Sequence, residues 1–242
     1  MQAEDKGVRH QRHILLRGTV GSQAYGLATD SSDVDTLGVF ALDTKAFHGI
    51  ELPARRHLTH VSTKPDVTLH EAGKFCRLAL ACNPSVLELL WLPLELYTEV
   101  TAAGRGLLTL RERFLSAPRV ADVYTGFCHS QVRKIEALAA RPDPQVPTAK
   151  MAKLARHFMR LVEQGTELWV TGKLNVKVRC ARDTHAFGQR VATEGIDGIY
   201  PLMFRLRHTF ENSATPLPAE PDRTAIQRWL YDVRDTYYEL GE

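Results

Sequence analysis

The chain lacks the cysteine spacing found in zinc-binding and disulfide-stabilised proteins. It has only four cysteines among 242 residues, and no two of them form a Cys-x-x-Cys pair. Closely spaced thiolates build structural zinc sites, and regular cysteine frameworks build small secreted folds. The sequence argues against both classes of protein.

Long apolar runs are also missing. The most apolar stretch covers about residues 78–94 and is interrupted by two prolines, an asparagine and a glutamate. A membrane-spanning helix needs about 20 consecutive, mostly apolar residues, so this stretch predicts no membrane span. Residues 1–6 carry no apolar signal core, and we therefore expect a cytoplasmic location without a membrane partner.

The chain has little excess charge of either sign. It carries 31 basic and 28 acidic residues, which gives a formal net charge of +3. Such a balance permits a nucleotide or nucleic-acid partner without requiring one. The hydrophobic share of 44% is ordinary for an ordered globular chain, so we do not expect disorder.

The order of periodic segments predicts an α+β fold. Strand patterns occupy residues 13–20, 33–41, 58–62 and 66–70, and the last of these alternates polar and apolar residues. From about residue 100 the signal is mostly helical. We therefore predict a small mixed sheet flanked by helices in residues 1–95, followed by a mainly helical domain, residues 96–242, which closes a cleft.

Four elements are predicted in the C-terminal part. The periodicity favours a long helix over 119–140 and another from Thr148 to Gln164, with Gly165 as its stop signal. Residues 174–180 alternate like a strand, and Asp222 is placed to cap a last helix over 223–240.

One motif carries most of the chemical information. Gly21-Ser22 follows the strand pattern of 13–20, and Asp33 and Asp35 begin the next one. Carboxylates two residues apart in a strand point to one face, where they repel unless a cation lies between them. Carboxylates with room for water and phosphate suit Mg²⁺, and a Gly-Ser turn presents backbone N–H groups to phosphate. The motif predicts a site for a metal and a nucleoside triphosphate.

This arrangement resembles the DNA polymerase β-type nucleotidyltransferase superfamily. Within it, the chain is similar to the predicted nucleotidyltransferase family linked with RNA ligases and RNA repair. Close similarity covers about residues 13–92, and a looser one reaches 150–172. The motifs that carry it are Gly-Ser-x-Ala-Tyr-Gly-Leu-x-Thr-x-x-Ser-Asp-x-Asp-x-x-Gly-Val from Gly21, then Asp66, Lys74-Phe75 and Asn83-Pro84-Ser85-Val86-Leu87-Glu88-Leu89-Leu90.

The resemblance implies a role for each motif residue. Gly21 and Ser22 would hold the β- and γ-phosphates of a nucleoside triphosphate such as ATP. Asp33, Asp35 and Asp66 would be the catalytic carboxylates and would bind Mg²⁺ or Mn²⁺. Asp66 starts a strand pattern 31 positions after Asp35, which suits a neighbouring strand. Glu71 is the alternative third carboxylate.

A basic helix face is the second candidate for nucleotide binding. At 100° per residue, one face of the helix beginning at Thr148 carries Lys150, Lys153, His157 and Arg160, opposite the apolar residues. We expect this face to point to the cleft or to solvent. It could hold the triphosphate or RNA phosphates, or it could be a solvated surface. His157 could instead form hydrogen bonds within the protein.

The expected reaction moves a nucleoside monophosphate from a nucleoside triphosphate to a hydroxyl and releases pyrophosphate. An RNA 3′ end is the first choice of acceptor, on the resemblance and the basic face. A protein hydroxyl, as in the antitoxin-type minimal nucleotidyltransferases, is the second choice, and a small molecule such as an aminoglycoside is the third. A non-catalytic nucleotide- or RNA-binding module is the alternative from another class.

Overall fold

A computed structural model describes residues 11–30, 32–50, 52–140 and 148–238. In these ranges a five-stranded mixed sheet with helices is followed by a mainly helical part, which confirms the predicted α+β class. The strands, in chain order, are β1 (Arg12–Val20), β2 (Asp35–Leu42), β3 (Thr59–Thr63), β4 (Asp66–Glu71) and β5 (Tyr97–Val100).

The sheet order brings the two aspartate-bearing strands together. The strands lie in the order β3-β4-β2-β1-β5, with β2 and β4 parallel and the other neighbours antiparallel. The parallel register pairs Asp35 with Asp66, and the antiparallel register pairs Val20 with Asp35. The end of β1 and the starts of β2 and β4 therefore meet at one edge of the sheet.

The four predicted strands are present to within two residues of their predicted bounds. The prediction that Asp33 belongs to the second strand is wrong, because β2 begins at Asp35. Strand β5 has only four residues, too few for an alternating pattern, and it pairs with β1. The sheet thus extends past residue 95, while the division into two domains at that residue stays a prediction.

The helices surround the sheet and then form the C-terminal part. The described α-helices are α1 (Gly21–Tyr25), α2 (Ala72–Leu80), α3 (Pro84–Leu87), α4 (Ala102–Thr109), α5 (Ala117–Ala139), α6 (Thr148–Thr171), α7 (Ala181–Glu194), α8 (Ile199–Asn212) and α9 (Arg223–Thr236). Side chains cap several of their first turns. Asn83 accepts from the N–H of Ser85 at 3.1 Å, and Asp222 accepts from that of Ala225 at 3.0 Å, as its sequence position predicted.

The predicted stop at Gly165 is wrong, because α6 continues through it to Thr171. Gly165 lies against the ring of Tyr124 in α5, and a Cβ atom at this position would be 2.8 Å from Tyr124 Cδ1. This glycine therefore permits close packing of two helices rather than ending one.

The predicted strand at 174–180 is also wrong, because these residues have an irregular backbone. Polar and apolar residues alternate in this segment because its three buried side chains, Leu174, Val176 and Val178, lie two residues apart. The backbone groups of the segment form hydrogen bonds outside any sheet. Gln164 Nε2 donates to the carbonyls of Asn175 and Val176, and the N–H of Val178 donates to the carbonyl of Tyr25. The segment thereby links α6 to α1.

One buried apolar cluster runs from the sheet into the helical part. It includes Leu15 of β1, Phe75 of α2, Tyr124 of α5 and Phe158 of α6. This shared core fixes α6 relative to the sheet edge that carries the aspartates. Among the helices that the structure describes, none combines the length and apolarity of a membrane span.

Candidate active site

A cavity of about 450 Å³ lies where α1, the start of β2 and the N-terminal half of α6 meet. Its walls bring the Gly-Ser turn and two of the predicted aspartates to the predicted basic helix. The lining residues are Gly21, Ser22, Tyr25, Leu27, Thr29, Ser32, Asp33, Asp35, Ala149, Lys153, Arg156, His157 and Arg160.

The Gly-Ser turn lies directly against the Asp35 carboxylate. Gly21 has a φ of +68°, which favours glycine, and a Cβ atom there would lie 2.9 Å from Asp35 Cγ and overlap the carboxylate. The N–H of Leu27 donates to the carbonyl of Ser22 at 2.9 Å and closes the turn. Only glycine at position 21 therefore lets this turn and the Asp35 carboxylate share one cavity.

Two neighbouring carboxylates act on Asp35 at this edge of the sheet. Burial raises the pKa of Asp35 above its ordinary value, and the Asp66 and Asp33 carboxylates raise this pKa further. Lys153 acts in the opposite direction. Asp33 lines the cavity, whereas Asp66 is exposed at the start of β4, beside Asp35 but outside the cavity lining. The ionised form of Asp35 is thus disfavoured until positive charge is nearby.

The donor chemistry of this edge fits a hard cation. In the part of the chain that the structure describes, no three His, Cys, Asp or Glu side chains form a ready-made metal cluster. Mg²⁺ commonly binds through one or two carboxylates, with water and substrate phosphate completing its coordination. The repulsion of Asp35 by Asp33 and Asp66 suits a cation held in that manner.

The structure separates the four residues of the predicted basic face. Lys153 is exposed, lines the cavity and acts on Asp35. Lys150, one turn earlier, is exposed but does not line the cavity. His157 lines the cavity and is partly buried. These positions make Lys153 the best placed of the four to contact a triphosphate.

Arg160 lines the cavity, as expected, but the expectation that it stays out of the core is wrong, since it is only 1% exposed. Its guanidinium forms an ion pair with Glu88 and donates to Gln164 Oε1 at 2.7 Å. It also lies 4.0 Å from the centre of the Tyr25 ring. Helical periodicity could not show this, because Glu88 lies 72 residues away in the sequence.

His157 forms a hydrogen bond inside the protein, one of the alternatives that the sequence left open. Its Nδ1 is 3.0 Å from Nη2 of Arg160. Burial, followed by the charges of Arg160, Lys134 and Lys153, lowers the pKa of His157 to about 3. The imidazole is therefore neutral at physiological pH and offers a hydrogen bond rather than a charge.

Residues 3–188 match the model of the RNA repair pathway DNA polymerase beta family. The chain belongs to this family. The match covers the whole sheet, the cavity and α6, and it confirms the polymerase β-type resemblance of the motifs. Membership of a polymerase beta-like family supports a nucleotidyltransferase in general. A search of curated proteins finds no match.

Glu71, the alternative third carboxylate, serves the fold of this polymerase beta-like chain. Its carboxylate accepts from the N–H of Gly73 at 2.9 Å and forms an ion pair with Arg234 of α9. It lies five residues beyond Asp66, about 16 Å along the strand. The structure therefore assigns Glu71 to capping α2 and holding α9.

Sequence reasoning gave no role to Tyr25 and Glu88, which connect the walls of the cavity in this family member. Tyr25 lines the cavity, and Glu88 lies behind it, buried and in contact with both Tyr25 and Arg160. Glu88 interrupts an apolar run, and a carboxylate is costly to bury without a partner. A glutamate within an apolar run therefore predicts a buried cationic partner elsewhere in the chain.

The raised pKa of Asp35 predicts how Mg²⁺ affects stability. Because its folded-state pKa lies above the unfolded value, ionised Asp35 lowers the free energy of unfolding, and this loss grows as pH rises through that pKa. We expect millimolar Mg²⁺ to raise the melting temperature at about pH 7.5 and to do so less as pH approaches about 4.

Asp35→Asn is the control for this measurement by differential scanning fluorimetry. Without metal it should melt above the wild type, because it removes the repelled charge, and it should lose most of the Mg²⁺ effect. An equal Mg²⁺ shift in both proteins would show that the cation binds elsewhere.

Proposed function

We propose that the protein is a metal-dependent nucleotidyltransferase that moves a nucleoside monophosphate from a nucleoside triphosphate to a hydroxyl, with an RNA end as acceptor. The observation that carries this proposal is the contact between Gly21 and the Asp35 carboxylate. It supports the proposal because the Gly-Ser turn and the Asp35 carboxylate line the same cavity. Lys153 supports it by adding positive charge to the opposite wall.

Each residue is given the role that the family resemblance implies and that its position allows. The turn at Gly21 and Ser22 binds the β- and γ-phosphates, and Lys153 neutralises part of their charge. Asp33, Asp35 and Asp66 would hold Mg²⁺ or Mn²⁺, which supplies charge neutralisation for the transferring phosphoryl group. The remaining work of the chain is to position and orient the reactants.

The bond changes are those of a direct displacement. The acceptor oxygen forms a bond to the α-phosphorus, and the bond from that phosphorus to the oxygen bridging to the β-phosphate breaks. Pyrophosphate leaves with the electron pair of that bond. Asp66 is exposed on the strand beside Asp35, and we assign it as acceptor of the proton from the attacking hydroxyl.

Identification of the acceptor tests the proposal. The protein is incubated with each radiolabelled nucleoside triphosphate and Mg²⁺, with total RNA or with a cell lysate. We expect label in material that ribonuclease degrades. Label that only protease releases would favour a protein hydroxyl, and label in small products would favour a small molecule. Nucleotide binding without any labelled product would indicate a non-catalytic module.

The two lysines of α6 provide a matched test of the nucleotide-binding face. Lys153→Ala should weaken nucleoside triphosphate binding about tenfold or more, because it removes a charged group that binds phosphate. Lys150→Ala removes the same charge one turn away, outside the cavity, and should bind nearly as the wild type does. Calorimetric titration of both variants measures the difference.

A salt titration of RNA binding separates the two possible ligands of this face. If Lys153 holds the triphosphate, the salt dependence of RNA affinity should match the wild type in both variants. If it instead binds RNA, the slope should become flatter by about 0.7 for each RNA phosphate that the variant no longer neutralises, and the affinity for triphosphate should remain unchanged.

A further inference from the structure

Glu88 connects the two walls of the cavity from behind. It lies in the 3₁₀ turn that follows α3 and is 1% exposed. Its Oε1 forms an ion pair with Arg160 of α6. Its Oε2 accepts a hydrogen bond at 2.7 Å from the hydroxyl of Tyr25, which is the last residue of α1. One carboxylate therefore holds both the element that carries the Gly-Ser turn and the helix that faces it.

The Arg160 side chain completes this link with three further contacts. It stacks over the Tyr25 ring, donates to Gln164 and donates to His157. Burying such an ion pair costs free energy that well-packed apolar residues of similar volume would not cost. Stability alone is therefore a weak explanation for these charges beside a nucleotide-sized cavity, and positioning of the cavity walls is a stronger one.

The contact with Arg160 also fixes the proton of His157. A guanidinium has only donors, so the Nδ1 atom that faces it must be the acceptor. The single proton of the neutral ring then resides on Nε2. His157 lines the cavity, and this N–H is the polar group that its ring has left for a ligand.

We propose that Glu88 is a positioning residue of the nucleotide site, which acts through Tyr25 on the Gly-Ser turn and through Arg160 on His157. In this arrangement His157 is a fixed hydrogen-bond donor to an acceptor oxygen of the nucleotide, while Lys153 supplies the charge. The inference rests on the proposed function, since it takes a nucleoside triphosphate as the ligand of the cavity.

A pair of tyrosine variants tests the link to the Gly-Ser turn. Tyr25→Phe removes the hydroxyl that donates to Glu88 and keeps the ring over Arg160. Tyr97→Phe removes a hydroxyl that donates to the carbonyl of Leu89, the residue after Glu88, at the same 2.7 Å but outside the cavity. Both lose one partly buried hydrogen bond, so we expect comparable losses of stability.

The affinities of these two variants should differ. With ATP and Mg²⁺ in calorimetric titrations, Tyr25→Phe should bind about tenfold more weakly than the wild type, and Tyr97→Phe should bind as the wild type does. Equal affinities of the two variants would overturn the positioning role. Absence of binding by the wild type would overturn the proposed function instead, and the next measurement then tests the link from the Glu88–Arg160 pair to His157 without nucleotide.

Nuclear magnetic resonance of ¹⁵N-histidine-labelled protein tests the fixed donor. In the wild type, His157 should show an unprotonated Nδ1 and a protonated Nε2 down to about pH 4, because its pKa is about 3. The variant Glu88→Gln with Arg160→Met removes both buried charges, which avoids leaving one unpaired. In this variant, His157 should exchange between tautomers, and its pKa should be higher than in the wild type. Burial, Lys134 and Lys153 should still hold this pKa below the ordinary histidine value.

Two results of this measurement would overturn the inference. One is a wild-type His157 that carries its proton on Nδ1. The other is a His157 in the double variant with the same tautomer and the same titration as in the wild type.

Discussion

Asp35→Asn should reduce nucleotidyl transfer about a thousandfold or more while the chain remains folded. Asparagine keeps the size of the side chain but removes the charge that lies between the Gly-Ser turn and Asp66. Metal charge at the transition state contributes several kcal/mol, and each factor of ten in rate corresponds to about 1.4 kcal/mol. The measurement is the single-turnover rate with saturating nucleotide and Mg²⁺.

Asp30→Asn is the matched control for this rate. Asp30 is an exposed aspartate five residues before Asp35 and does not line the cavity. Its replacement should leave the transfer rate close to that of the wild type. Near-normal transfer by purified Asp35→Asn protein would refute the assignment of the carboxylates.

Gly21→Ala should produce the second large effect, a loss of nucleotide binding of about a hundredfold with a parallel loss of transfer. The new Cβ atom would overlap the Asp35 carboxylate, so either the turn or the carboxylate must move. The φ of +68° adds strain of about 1–3 kcal/mol for a residue with a side chain. Titration of nucleotide binding beside thermal unfolding separates the two contributions.

Gly172→Ala reproduces the strain without the overlap. Gly172 has a φ of +70° at the end of α6, where its nearest neighbour is a proline ring rather than a carboxylate. It should lose stability as Gly21→Ala does and keep its nucleotide affinity. If both variants bind nucleotide equally well, the close contact between the turn and Asp35 has no role in binding.

The sheet edge was predictable because local pattern determines it. The alternation in residues 66–70 and the apolar runs before Gly21 and after Asp35 predicted strands close to those observed. The placement of Asp66 on a strand next to Asp35 is confirmed by their register. Asp33 shows the limit of this reasoning, since it reaches the cavity from outside the strand.

Contacts between distant segments were not predictable in the same way. Arg160 has the spacing of an exposed helix face, yet a carboxylate from the apolar run after Asn83 draws it into the core. Gly165 has the sequence signature of a helix end, yet the ring of Tyr124 requires its lack of a side chain inside the helix. In both cases the partner that decides the outcome comes from another part of the chain.

The most direct test of the proposed function follows the α- and γ-phosphates of the nucleotide separately. The wild type and Asp35→Asn are incubated with Mg²⁺, total RNA and a nucleoside triphosphate labelled at either the α- or the γ-phosphate. We expect the wild type to transfer the α-label to RNA and to release the γ-label as pyrophosphate, and we expect Asp35→Asn to do neither. Transfer of the γ-label to an acceptor, or equal transfer of the α-label by both proteins, would contradict it.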